Sequence, residues 1–145
     1  MQAPSQNLQS IYHNYKLIPL CLCIGVITDY FLTFHFAGST EAILKYEFSP
    51  ILLFAVKHDI VIPYLMGMVL FYYAAGYLVL SLLADSEIYF VGVAIVLLIG
   101  ITHVLGGLSW YVQNAWYSNT VIALSMISVL TTLMAFGYEV FKKAQ

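Results

Sequence analysis

Residues 17–37 read LIPLCLCIGVITDYFLTFHFA, an apolar run broken by a single acid, Asp29. At 1.5 Å per residue, roughly 21 helical residues extend about 31 Å, enough to cross the hydrocarbon core of a bilayer. The run is much longer than the apolar region of a signal peptide, and the polar stretch before it carries no positive charge until Lys16. It is therefore expected to stay in the protein as a membrane-spanning helix with an acid near its middle.

The whole chain agrees with that reading. Of its 145 residues, 62% are hydrophobic and 8% charged, where a soluble domain is about half apolar and a quarter charged. A water-soluble globular protein is excluded. The chain has seven acids and five cationic residues, all of them lysine, for a net charge of -2. It has no basic surface to neutralise a phosphate backbone, which excludes nucleic acid as a partner. The lack of arginine also excludes an arginine finger, a voltage-sensing helix and bidentate clamps on phosphate or carboxylate.

Three further apolar segments follow, at about 60–84, 88–111 and 119–141. Each meets the twenty-residue requirement for a span. The connections after the second and third spans are short, so successive helices must be antiparallel neighbours. The expectation is an all-α, up-and-down four-transmembrane-helix bundle forming one domain over residues 1–145. Lys16, Lys142 and Lys143 then lie at one end and Lys45 and Lys57 at the other. This excess places the chain termini on the cytoplasmic side. Tyr111, Trp116 and Tyr117 read as anchors at one membrane interface, and Tyr12, Tyr15, Tyr89 and Tyr138 at the other.

Between the first two spans, the apolar patch from Pro50 to Val56 is too short to cross. Ser49 is an N-cap residue followed by proline at the first helical position, so a short interfacial helix over Ser49–Val56 is expected, able to cover the bundle.

Few residues can carry chemistry. An ionised carboxylate at the depth of Asp29 costs on the order of 3 kcal/mol, so it must face the bundle interior and be paired, protonated or hydrated. Such an acid suits a proton carrier, a cation ligand or a general acid/base; the alternative is a protonated acid bonded across helices. Thr33 lies one turn further along the same face. His103 shares a helix face with Gly92, Gly100, Gly107 and Trp110, where small residues let a neighbouring helix approach. It reads as an interhelical partner, most naturally of Asp29, or as a proton relay or metal ligand. Glu47 precedes the short helix, either as a solvated capping acid or as part of a site with Asp29 and His103. Two carboxylates and a histidine suit a divalent metal, although no fixed ligand spacing supports one, and no cofactor is indicated.

Other polar residues have plainer readings. Cys21 and Cys23 form neither a disulfide framework nor a zinc ligand set and read as small core fillers. His35 lies nearer the membrane edge. Tyr72, Tyr73 and Tyr77 on the second span, with Ser125, Ser128 and Thr132 on the fourth, read as packing and interhelical hydrogen bonds. Ser109 lies in no nucleophile elbow.

Asp29-Tyr30-Phe31-Leu32-Thr33, then Gly38, then Glu47-Phe48-Ser49-Pro50, resembles the signature of a family of small, uncharacterised prokaryotic multi-pass membrane proteins. In that family Asp-x-x-x-Thr on the first span and a glycine at its end precede Glu-x-Asn-Pro. The resemblance implies a prokaryotic plasma membrane and that Asp29, Thr33, Glu47 and Pro50 belong together; it implies no activity.

Three functions fit these residues. An accessory or structural subunit, docked in the bilayer against other membrane subunits or its own copies, is the function expected, because it needs the fewest additional ligands; the other two are alternatives. A small carrier or channel would bind a proton or cation at Asp29. An intramembrane enzyme would work through Asp29, Glu47 and His103.

Overall fold

The computed structural model describes residues 12–143. Its elements are α1 (Ile18–Ala37), α2 (Thr40–Tyr46), α3 (Pro50–Lys57), α4 (Val61–Leu83), α5 (Tyr89–Val112) and α6 (Ala115–Lys143), with no strand among the described residues. Helices α1, α4, α5 and α6 are long and apolar enough to cross a membrane. The four-helix architecture is the one expected.

The four long helices do not share the interior equally. Helices α1 and α5 form the centre through the most extensive contact in the molecule, α4 lies mainly along α1, and α6 lies mainly along α5. The two flanking helices leave broad apolar faces uncovered, with Leu70, Phe71 and Leu78 exposed on α4 and Met126, Leu133 and Met134 exposed on α6. Aliphatic side chains turned outward along a whole helix suit contact with lipid tails.

Alternating directions make α1 and α5 parallel, and their side chains meet in parallel register. Gly25 meets Gly100, Asp29 meets His103, and Phe36 meets Tyr111. The glycines are needed for this approach. A Cβ on Gly25 would lie 2.5 Å from the Gly100 carbonyl oxygen, and one on Gly107 would lie 2.7 Å from the Asp29 carbonyl oxygen. In a membrane, where apolar burial does not drive helices together, such backbone proximity supplies the dispersion contact that does.

Local chemistry sets the ends of the elements. Gly38 closes α1 in the left-handed conformation with φ 70°. The Ser39 hydroxyl accepts from the Ala42 N–H to start α2, and the Ser49 hydroxyl accepts from the Leu52 N–H to start α3. Helix α3 is the expected short helix; α2 is an addition, because the polar residues of 40–46 mask a capped turn of helix. Helix α3 buries Leu52, Ala55 and Val56 inward and turns Ile51 and Phe54 outward.

The fourth long helix begins earlier than the 119 expected. Asn114 Oδ1 accepts from the N–H groups of Trp116 and Tyr117 at 2.9 and 3.2 Å. That cap starts α6 at Ala115 and leaves only Gln113 and Asn114 as connection. Tyr89 is another departure: it is buried, donating to the Tyr12 carbonyl and stacking on His13, so it ties the chain together instead of anchoring at a membrane surface.

One end of the bundle gathers the segment before α1, the α4–α5 turn and the last turns of α6. Ser86 Oγ donates to Glu139 Oε2 at 2.7 Å and Lys142 Nζ donates to Glu87 Oε1 at 2.8 Å. The Lys142 hydrogen bond and charge hold the Glu87 carboxyl below the usual carboxylate range. The linker with α2 and α3 and the α5–α6 turn occupy the opposite end.

Gly25→Ala is expected to destabilise the fold by about 1–3 kcal/mol because the backbones must separate. Gly137, whose Cβ would meet nothing within 4 Å, is the control, and Gly137→Ala should be neutral or stabilising by about 0.5–1 kcal/mol. Thermal unfolding in one detergent decides it; equal effects would refute the close-approach account.

Candidate functional site

Asp29 sits at the level of the α1–α5 crossing, on the face of α1 turned toward α5. Its Oδ2 lies 2.7 Å from His103 Nδ1, and both side chains are about one-fifth exposed. A carboxylate only accepts, so with Asp29 ionised the Nδ1–H of His103 is the donor. Thr33, which is buried, donates weakly from Oγ1 to Asp29 Oδ1 at 3.4 Å. The edge of His103 is fixed by Tyr72 of α4, whose ring stands perpendicular to the imidazole with centroids 4.7 Å apart. Tyr30 and Tyr64 join α1 to α4 through a hydroxyl–hydroxyl hydrogen bond of 2.7 Å.

The other side of Asp29 is open. A cavity of about 530 Å³ reaches it from the end that holds the linker, a volume within the ~300–1,000 Å³ range of small-molecule sites. Asp29, Thr33, Gly106, Ser109 and Trp110 line its inner part. Gly106 keeps the way clear: a Cβ there would be 3.6 Å from Asp29 Oδ1. At the mouth are Tyr46, Glu47 and Phe48 of the linker, with Gln113 from the α5–α6 turn and Ser118 from the first turn of α6. Val121 and Ile122 complete the α6 wall. Toward the opposite end, the Gly25–Gly100 crossing closes the α1–α5 seam.

The four candidate residues therefore occupy one region in two arrangements. Asp29, Thr33 and His103 are bonded to one another, whereas Glu47 shares the cavity but spends Oε1 on the Ser49 N–H at 2.8 Å. Among the described residues, no three of His, Cys, Asp and Glu come close enough to hold a metal ion. Asp29 pairs with His103, while the bond from the Ser49 N–H anchors Glu47 to the linker.

The structure also adds residues. Trp110 lies two turns from His103 on the same face, and its cavity position follows from that spacing. Ser118 and Gln113 belong to the short connection expected between the third and fourth spans, and the earlier start of α6 puts Ser118 on a helix at the wall. The remaining polar residues stay apart. Ser128 and Thr132 donate to carbonyls of their own helix, Ser125 is exposed, and Tyr73 reaches the Lys16 carbonyl. His35 stacks on Phe31 beside a separate apolar cleft between α1 and α4. Cys23 is buried against the Val69 carbonyl and Cys21 is exposed.

Compared with family models, curated proteins and solved structures, the chain matches none.

The Asp29–His103 contact should show as coupling between the two positions. In a double-mutant cycle with Asp29→Asn and His103→Phe, the coupling free energy is expected at about 1.5–3 kcal/mol, the range for hydrogen bonds to charged groups. Thermal unfolding in detergent measures it, and additive effects would show the contact to be energetically idle.

Proposed function

We propose that the chain is a multi-pass integral membrane protein that works as a small proton- or cation-coupled carrier, with Asp29 and His103 as its exchange site. The supporting observation is the 2.7 Å pair standing at the inner end of a cavity that opens at one end of the bundle.

The chemistry follows from counting charges. An ionised Asp29 beside a neutral His103 carries one negative charge, and uptake of one proton makes the pair neutral. In a low-dielectric interior the neutral form is the cheaper resting state. A cation entering the cavity reverses that preference: it balances the carboxylate directly, and the pair releases its proton to water. Cation and proton are thereby exchanged at constant total charge, which avoids the cost of an unbalanced ion in the bilayer. The seam at Gly25 and Gly100 closes the route onward, so completing transport requires α1 and α5 to shift there.

The lysine distribution favours cytoplasmic ends for α1 and α6, with the cavity mouth on the other face of a prokaryotic plasma membrane. The outward-facing Phe48, Ile51 and Phe54 suit a linker lying in the interface. The resemblance through Asp29, Thr33, Gly38, Glu47 and Pro50 joins residues of which three line the cavity. The accessory-subunit reading rests on needing the fewest additional ligands, and small-residue stripes would suit its docking. Gly25, Gly92, Gly100 and Gly107 instead make their close contacts within the chain, which moves the balance toward a site of the protein's own.

In vesicles containing the purified chain and a pH-sensitive dye, an imposed pH gradient is expected to decay faster than in protein-free vesicles. Asp29→Asn should return the rate to the protein-free value while the thermal transition persists. Undiminished decay in that variant would remove Asp29 from the mechanism.

A further inference from the structure

The cavity is larger and more aromatic than a proton or a bare metal ion requires. Its lining holds two carboxylates, Asp29 and Glu47, and three aromatic side chains, Tyr46, Phe48 and Trp110. No lysine lines it, and the chain contains no arginine. An anionic ligand would face uncompensated carboxylates. An inorganic cation would lack a set of three strong protein ligands among the described residues, and hard cations demand about six or more oxygen ligands. An organic ammonium fits both halves of the lining: carboxylates balance its charge, aromatic faces attract it, and its carbon body covers Val121 and Ile122. The linker already displays that attraction, since Lys45 Nζ stands 5.0 Å from the centroid of the Tyr46 ring.

We propose that the cavity between Asp29 and the Tyr46–Phe48 linker is a binding site for a small organic ammonium compound bearing an apolar group. This rests on the proposed cation exchange at Asp29 and names the class of cation. The ammonium sits on the Oδ1 side of Asp29, beside Gly106, because Oδ2 is engaged by His103. Glu47 sits at the mouth of the cavity, where its charge draws the cation in. The other titratable groups packed around Asp29 are His103 and the phenols of Tyr30, Tyr64 and Tyr72, none of which is positively charged except His103 when protonated.

Benzyltrimethylammonium is a suitable probe, with benzenesulfonate as the anionic control and neopentylbenzene as the uncharged isostere. The full chain in lipid nanodiscs is titrated by calorimetry, with Trp110 fluorescence as a second signal. The ammonium is expected to bind saturably, and both controls about ten-fold more weakly or worse. Asp29→Asn should weaken the ammonium by about ten-fold. Gly106→Leu, which fills the space beside Asp29, should abolish binding. Trp110→Leu should weaken it several-fold. Equal binding of the isostere, or binding indifferent to both Asp29→Asn and Gly106→Leu, would overturn the proposal. The ligand-free decay of a pH gradient separates the two readings. If it depends on Asp29 while the ammonium fails to bind, the ligand class falls and the exchange site stands. If decay depends on Asp29 only when the ammonium is supplied, both readings stand; if it stays independent of Asp29 with the ammonium present, the exchange reading is lost, and saturable binding then describes a site without proton coupling.

Discussion

The parallel contact between α1 and α5 governs the rest of the molecule. Glycines at 25 and 107 bring the two backbones together until a single methyl group at either position would have no room, and that separation sets which side chains can face each other. At this distance Asp29 and His103 reach hydrogen-bonding range, 2.7 Å apart. A wider crossing would leave the acid solvating itself as best it could in an apolar layer, at a cost of several kcal/mol. The close approach and the polar pair are thus one feature: dispersion between backbones sets the spacing, and the spacing makes the buried charge tolerable.

The flanking helices have different duties. Helix α4 supplies Tyr72 against the imidazole and Tyr64 against Tyr30, holding the polar pair from the side opposite the cavity. Helix α6 supplies part of the cavity wall, and Tyr117 pins it to α5 by donating to the Leu105 carbonyl at 2.9 Å. The linker completes the arrangement, with Glu47 fixed by the Ser49 N–H and its aromatic neighbours on either side. Rigid helices therefore carry the pair, while a shorter and more adaptable segment forms the mouth.

Much of this was legible in the sequence because membrane physics leaves few options. The four apolar runs could only be helices, and an acid at position 29 had to face inward toward whatever polar group the bundle offered. His103, on a glycine-rich face, was the natural candidate. What stayed hidden depended on tertiary distance or on a single cap. Nothing in the pattern reveals that Gly106 leaves space beside Asp29 whereas Gly107 lies tight against it, because adjacent glycines look alike until the neighbouring helix is placed. Asn114 reads as one more loop residue, yet its side chain begins α6 early enough to bring Ser118 to the cavity. Tyr89 looks like an interfacial tyrosine, and its burial depends on Tyr12 and His13 folding over it. Glu139 drew no reading from the sequence, and the structure buries it beside Ser86.

The parallel pairing of α1 with α5 also imposes an order on biogenesis. Asp29 and His103 are 74 residues apart, so during synthesis at about 5–20 residues per second the acid waits roughly 4–15 s for its partner. Throughout that interval α1 must reside in the translocation machinery, or enter lipid with its carboxyl protonated, because neither α2, α3 nor α4 supplies a cation to it. Helix α4 must then pass back across the membrane and stand aside, so that α5 can slot against α1 in the same direction. Helix α1 is consequently made well before its polar partner, and Asp29 is satisfied only when His103 of α5 arrives beside it.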